Sequence, residues 1–243
     1  MAILVIHGGA GTVSDRYQDA YREGLKAAAD VGHRELQATG DPVKAVIAAV
    51  SAMELNEKAF NAGVGGAPTR EGRVELDACV MAGDGSAGAV AAVTNSRNPV
   101  RLAEKVRTST PHVILAGEGA ERLEDDPVPN EALLNERMRE ELERWRRQGS
   151  DQPGRGTVGA LALSDDGRLA AATSTGGILA QYAGRLGDTP CPAPAPGATS
   201  GRRCPAPASA RRSCARSPAA AWRCASTWAP RPRRRCRPVW TTS

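Results

Sequence analysis

The chain changes character at residue 189. From Thr189 to Ser243 it has 11 Arg, no Lys and no acidic residue, a charge of +11, while the first 188 residues carry −6. The same segment holds 5 of the 6 Cys and 10 of the 17 Pro, and its only bulky apolar residues are three Trp and one Val. Neither the helical nor the strand period survives there. Such a stretch cannot bury enough apolar surface to offset its ordering entropy, so residues 190–243 are expected to be disordered. A fold must come from the first 189 residues, enough for one sizeable domain.

That split also weakens the reading suggested by the overall charge of +5. The excess comes wholly from the tail, and a block of like charge is more often a solvated segment than a nucleic-acid surface. Nucleic-acid binding through the tail is kept as an alternative function, beside an inactive relic. No apolar run approaches the roughly 18 residues of a membrane span. The run that opens the chain has no basic residue before it and ends at His7, so a reducing cytoplasm is the expected compartment.

Hydrophobic spacing places the elements. Ile3–Ile6 is expected to be a buried strand, followed by the loop Gly8-Gly9-Ala10-Gly11. Tyr17, Tyr21, Leu25, Ala28 and Val31 predict a helix from Asp15 to about Leu36. Asp41-Pro42 and Asn98-Pro99 each read as an N-cap with proline at the first helical position. Strands are expected over Val74–Met81, Gly88–Thr94 and His112–Leu115, with a short helix over Gly117–Leu123. Leu133, Leu134, Met138, Leu142 and Trp145 line one side of a charged helix. Gln148–Gly156 reads as an exposed linker. Beyond it the period becomes two: Thr157–Leu163 and Arg168–Thr173 predict a hairpin turned by Ser164-Asp165-Asp166-Gly167.

The search for chemistry ends at one threonine. The three His are scattered and the tail Cys lie 10 to 13 apart with no C-x-x-C pair, so no zinc site is expected. There is no G-x-S-x-G elbow, and the Gly8–Gly11 loop lacks both the Walker lysine and the dinucleotide spacing. Gly156-Thr157-Val158-Gly159, by contrast, lies where a linker meets a buried strand. A threonine hydroxyl needs a base at neutral pH. Cutting the bond before Thr157 would supply one, because a free α-amino group has a pKa of about 7.7–8. Nucleophile and base would then belong to one residue. The bland alternative is an ordinary threonine at a strand start.

Eight blocks decide between these. They are His7-Gly8-Gly9-Ala10-Gly11, Phe60-Asn61-Ala62-Gly63-Val64-Gly65, Glu75-Leu76-Asp77-Ala78, Arg97-Asn98-Pro99, Gly117-Glu118-Gly119-Ala120, Gly156-Thr157-Val158-Gly159, Thr173-Ser174-Thr175-Gly176-Gly177 and Gly184-Arg185-Leu186-Gly187-Asp188-Thr189-Pro190. Together and in this order they resemble the plant-type asparaginase / isoaspartyl peptidase family of N-terminal-nucleophile hydrolases. The resemblance runs from Ile3 to Pro190.

It implies an α+β fold, the αββα sandwich, made as a precursor that cuts itself between Gly156 and Thr157. The products would be an α chain, 1–156, and a β chain from 157 onward, of which 157–189 carries the resemblance. The implied activity is hydrolysis of L-asparagine and of β-aspartyl dipeptides. Thr157 matches the nucleophile and Thr175 the threonine that hydrogen-bonds it. Arg185 matches the residue that pairs the substrate α-carboxylate, and Asp188 the one that takes its α-ammonium. Asn61 matches an active-site asparagine. The segment from Leu55 to Val64 matches a loop on whose carbonyls family members often hold a structural sodium ion. The family usually pairs αβ units into homodimers. Read without the family, Arg185 and Asp188 could be a surface ion pair, and Asn61 a turn former. Asp77 could cap backbone and is assigned no role. Cys79 reads as core.

After Pro190 the family's Leu-x-Gly-Ala-Gly and Thr-Gly-x-Gly-Glu blocks are missing, and with them the oxyanion-hole threonine. Reading the tail codons one base earlier permits both. Cys191–Gly197 permits Leu-Pro-Gly-Ala-Gly-Thr-Trp, and Cys204–Arg211 permits Val-Ser-Cys-Thr-Gly-Ile-Gly-Glu. The tail is therefore expected to be a frameshifted reading of a normal gene, and the chain as written to be inactive.

Overall fold

The computed structural model describes residues 1–11, 13–149 and 155–192. Its strands are β1 (Ile3–His7), β2 (Leu76–Ala82), β3 (Ala87–Val93), β4 (Ile114–Ala116), β5 (Arg155–Leu163) and β6 (Leu169–Ile178). Its helices are α1 (Gln18–Thr39), α2 (Pro42–Glu54), α3 (Pro99–Ser109), α4 (Glu118–Glu121) and α5 (Glu136–Gln148). The six strands form one sheet in the order β1-β5-β6-β2-β3-β4, antiparallel except for β3 with β4.

Period-two alternation decides what each sheet face meets. Val158, Ala160 and Ala162 of β5, Ala170 and Ala172 of β6, and Ala78 and Val80 of β2 join one core with Val46, Val50 and Met53 of α2 and with Val100 and Val106 of α3. Small residues let the helices lie close: a Cβ on Gly88 would come within 2.2 Å of the Ala103 carbonyl oxygen of α3. On the opposite face Met81 and Ala171 pack with Leu161 and Ala87. The architecture is α+β, a helical layer on one face of a sheet. A second sheet, as in the expected sandwich, is not among the described residues.

Most expected elements are present, and the differences have local causes. Asp41 caps α2, its Oδ1 accepting from Val43 N at 2.9 Å. Asn98 does not cap α3 with its side chain; instead Glu54 Oε1 accepts from Val100 N at 3.0 Å. A carboxylate delivered from α2 thus does the work that the Asn-Pro pair suggested for Asn98. Leu133 and Leu134 do not continue the charged helix. They precede its cap, Asn135, whose Oδ1 accepts from Met138 N. Leu133 instead packs with Val74 and Leu76 in a small satellite core. Arg155 and Gly156, expected in the linker, already belong to β5, and the hairpin's second strand runs on to Ile178.

No helix among the described residues is long and apolar enough to cross a membrane. Thr189 and Pro190 are buried. The expectation of disorder concerns, from residue 193 onward, positions outside the described residues. So do four of the five tail cysteines.

Candidate active site

Register brings the expected residues together. Thr157 of β5 pairs with Thr175 of β6, and Thr175 in turn pairs with Asp77 of β2. The three therefore form one row across adjacent strands, on the face away from the main helical core. Thr175 Oγ1 donates to the Gly156 carbonyl oxygen at 3.4 Å and accepts from Gly177 N at 3.0 Å. A hydroxyl thus touches the carbonyl of the Gly156–Thr157 peptide bond itself.

Asn61 is buried, and it is more than a turn former. Its Nδ2 donates to Gly177 O at 2.9 Å and its Oδ1 accepts from Ala67 N at 2.7 Å. Gly156 lies against it: a Cβ there would stand 3.0 Å from the Asn61 Cβ. A side chain at 156 would crowd the asparagine that ties the glycine-rich loop to the end of β6. Beside this contact is a cavity of about 410 Å³, lined among others by Gly8, Tyr21, Asn61, Arg137 and Gly156.

Arg185 and Asp188 lie toward the Asp77 end of the row. The ion pairs among the described residues do not include one between them, so the bland reading of that spacing fails. Arg185 is half-buried and its Nη1 donates to Gln181 Oε1 at 3.4 Å, while Asp188 is exposed. Their segment is laid along the sheet by three contacts. Gly184 N donates to Glu75 Oε2 at 2.7 Å, Gly187 N to Asp77 Oδ2 at 3.5 Å, and Thr173 Oγ1 to Thr189 O at 3.2 Å.

Sequence reasoning gave no role to three groups. His7 Nδ1 accepts from Gly9 N and lies 3.1 Å from the Thr157 carbonyl oxygen, so the first strand reaches the backbone of Thr157. Only the cross-strand register could have shown this. Asp77 accepts from Ala92 N at 2.9 Å as well as from Gly187, and burial pushes its carboxyl pKa up against the pull of those bonds and of Arg185. Glu54 is fully buried, and desolvation pushes it up to about 8. Cys79, buried as expected, is pushed up to about 12 and is inert core.

Part of the loop expected to hold sodium, with its neighbour Glu54, is tied down by hydrogen bonds to backbone carbonyls. Glu54 O accepts from Val64 N and Gly63 O from Gly66 N, while Glu57 O accepts from Asn135 Nδ2 and Phe60 O from Arg137 Nη2. Arg137 brings a positive charge, with its side chain only 12% exposed. Among the described residues there is no cluster of three His, Cys, Asp or Glu suited to another metal.

Comparison with known proteins shows the family. The family profile described as asparaginase matches residues 1–201. The mouse isoaspartyl peptidase/L-asparaginase is 45% identical over 200 residues, 78% of this chain and 61% of that protein. The human protein of the same name is 42% identical over 200 residues, with 78% and 65% covered. The isoaspartyl peptidase of Escherichia coli (strain K12) is 40% identical over 210 residues, again with 78% and 65% covered. The chain spans just over three fifths of the length of these relatives.

Proposed function

The chain belongs to the asparaginase family, and on that premise we propose that it is the precursor of a threonine hydrolase acting on L-asparagine and β-aspartyl dipeptides. The observation that carries this reading is the pairing of Thr157 with Thr175, whose hydroxyl reaches the Gly156 carbonyl oxygen at 3.4 Å.

Self-cleavage comes first. Thr157 Oγ attacks the Gly156 carbonyl carbon, and the peptide nitrogen leaves as the new amine of Thr157. Water then opens the resulting ester, freeing 1–156 from the rest. The α-amine, with a pKa of about 7.7–8, now serves as base for its own hydroxyl. In turnover that hydroxyl attacks the side-chain amide of asparagine, and the amine passes its proton to the departing ammonia. Water then releases aspartate from the ester. Arg185 takes the α-carboxylate through a planar fork and Asp188 the α-ammonium. Support for these roles is residue-by-residue resemblance together with the placement of both residues on one tethered segment. Homodimers of αβ units in the cytoplasm belong to the same reading and rest on the resemblance. A structural sodium ion on the Leu55–Val64 carbonyls belongs to it too and rests on the resemblance, beside the hydrogen bonds that Arg137 and Asn135 make to that loop.

The tail is proposed to be a frameshifted reading, because the shifted codons restore two family blocks, one with the missing oxyanion donor. Losing one such donor typically costs about 10²–10³ in rate. Ammonia release from asparagine by the 243-residue chain and by a frame-restored protein tests both ideas. Turnover by the restored protein alone is expected. Equal turnover by the two would show that the tail's missing blocks are dispensable. Inactivity of a folded, self-cleaved restored protein would remove the substrate assignment.

A further inference from the structure

Asp77 sits where a structural residue of β2 would not need a carboxylate. It is 4% exposed, and it ends the row that Thr157 and Thr175 begin. A buried carboxylate is costly unless it is bonded or faces a positive charge. Oδ1 is satisfied by Ala92 N, at an irregular point where Ala92 takes a φ of 50° and the β2–β3 register shifts. Oδ2 points the other way, to Gly187 N, and Arg185 lies close enough for its charge to favour the ionised form. Gly187 lies between Arg185 and Asp188, the two residues assigned to the substrate. A Cβ at Gly187 would stand 3.3 Å from Arg185 Nη1, so the guanidinium folds back over the residue that Asp77 holds. Glu75 and Thr173 tether the segment at Gly184 and Thr189, leaving Asp77 the middle anchor and the only one of the three that is both buried and acidic.

We propose that Asp77 is a positioning residue for substrate recognition: it fixes the Arg185–Asp188 segment at the end of the nucleophile row and keeps the Arg185 fork oriented. The inference rests on the substrate reading above for what the segment binds, but not for the anchoring itself. Asp77 touches neither the nucleophile nor the scissile bond, so it should govern binding and leave the chemistry alone.

Asp77→Asn tests this. The amide keeps an oxygen for Ala92 N, but its NH₂ arm cannot accept from Gly187 and its charge is gone. Hydrogen exchange at the Gly187 amide of the full chain should quicken by about tenfold or more, with the Thr157–Thr175 amides unchanged. In the frame-restored enzyme KM for asparagine should rise about tenfold to a hundredfold, the worth of a hydrogen bond to a charged group. The accompanying kcat and the rate of self-cleavage should stay within about twofold. Gly187→Pro, which deletes the donor instead, should reproduce the KM rise. Unchanged exchange at Gly187 would overturn the proposal, whether or not the protein hydrolyses asparagine. So would an unchanged KM, or a kcat and a self-cleavage rate that fall together with the affinity. Loss of asparagine turnover in the wild type, with faster Gly187 exchange in Asp77→Asn, would overturn the substrate reading and keep the anchor.

Discussion

Glu54 shows how much one buried carboxyl can matter. It caps α3 through Val100 N, while its Oε2 and the nearby Ser174 hydroxyl have no well-formed hydrogen bond among the described residues. Burial raises its pKa from the ordinary 4.5 to about 8 against weaker downward pulls from Ser174, Val100 N and Arg101, in that order, with Glu124 adding a small upward push. The unfolded chain therefore loses this proton first as pH rises. Glu54 costs nothing below pH 4.5, erodes stability progressively from there to about pH 8, and leaves a constant deficit above. Over that window the slope is at most about 1.4 kcal/mol per pH unit, and local relaxation will reduce it. Glu54→Gln keeps the oxygen for Val100 and adds an N–H that can donate toward Ser174. Urea unfolding of the two chains at pH 5 and pH 8 should show near-equal stability at the lower pH. At the higher pH the glutamine variant should be the more stable. A glutamate chain that is equally or more stable at pH 8 would mean the group ionises freely. None of this was legible in the sequence, where Glu54 is one charged residue at the end of an apolar helix.

Elements were legible where a local pattern determines them and less so where a tertiary partner does. The Ser164–Gly167 hairpin and the cap of α2 follow from residues within a few positions of one another, and both formed as expected. The cap of α3 did not, because its partner Glu54 comes from 46 positions away. The start of α5 was misjudged because Leu133 and Leu134 fit its apolar spacing while serving a different cluster. For the site, the motif blocks picked out Thr157, Thr175 and Asn61; strand pairing explains why the threonines meet, and hydrogen bonds to Gly176 and Gly177 bring in Asn61. Asp77 was passed over because an aspartate that accepts from backbone looks the same in sequence as one that anchors a binding segment. The loop from Leu55 to Val64 carries its own prediction. Arg137 reaches it from the first turn of α5 and lies 5.7 Å from the Tyr17 ring, so it supports the loop beside any ion. The thermal midpoint of the wild-type chain should be higher in sodium chloride than in choline chloride at equal ionic strength. Arg137→Met should lower it by several degrees, taking about 1.5–3 kcal/mol for the charged hydrogen bond and about 2–4 °C per kcal/mol. A wild-type midpoint that does not depend on the cation would remove the ion from the loop.

For the whole molecule, the charge split is the feature on which the rest depends. An acidic body of 188 residues folds into a sheet with helices on one side, and in the proposed reading the basic remainder lacks the residues that the oxyanion site needs. On the far face of the sheet Val5 is 45% exposed and Leu169 36% exposed, an apolar surface that invites association. The 243-residue chain is accordingly expected to be poorly soluble beside its frame-restored counterpart. The central claim is that Thr157 is a nucleophile released by its own attack on Gly156. Intact-mass spectrometry of the frame-restored protein and of its Thr157→Ala variant, each purified without added protease, tests it most directly. The account predicts two polypeptides for the first, one ending at Gly156 and one beginning at Thr157, and a single uncut chain for the variant. A variant that still separates at this bond, or a folded wild type that never does, would contradict it.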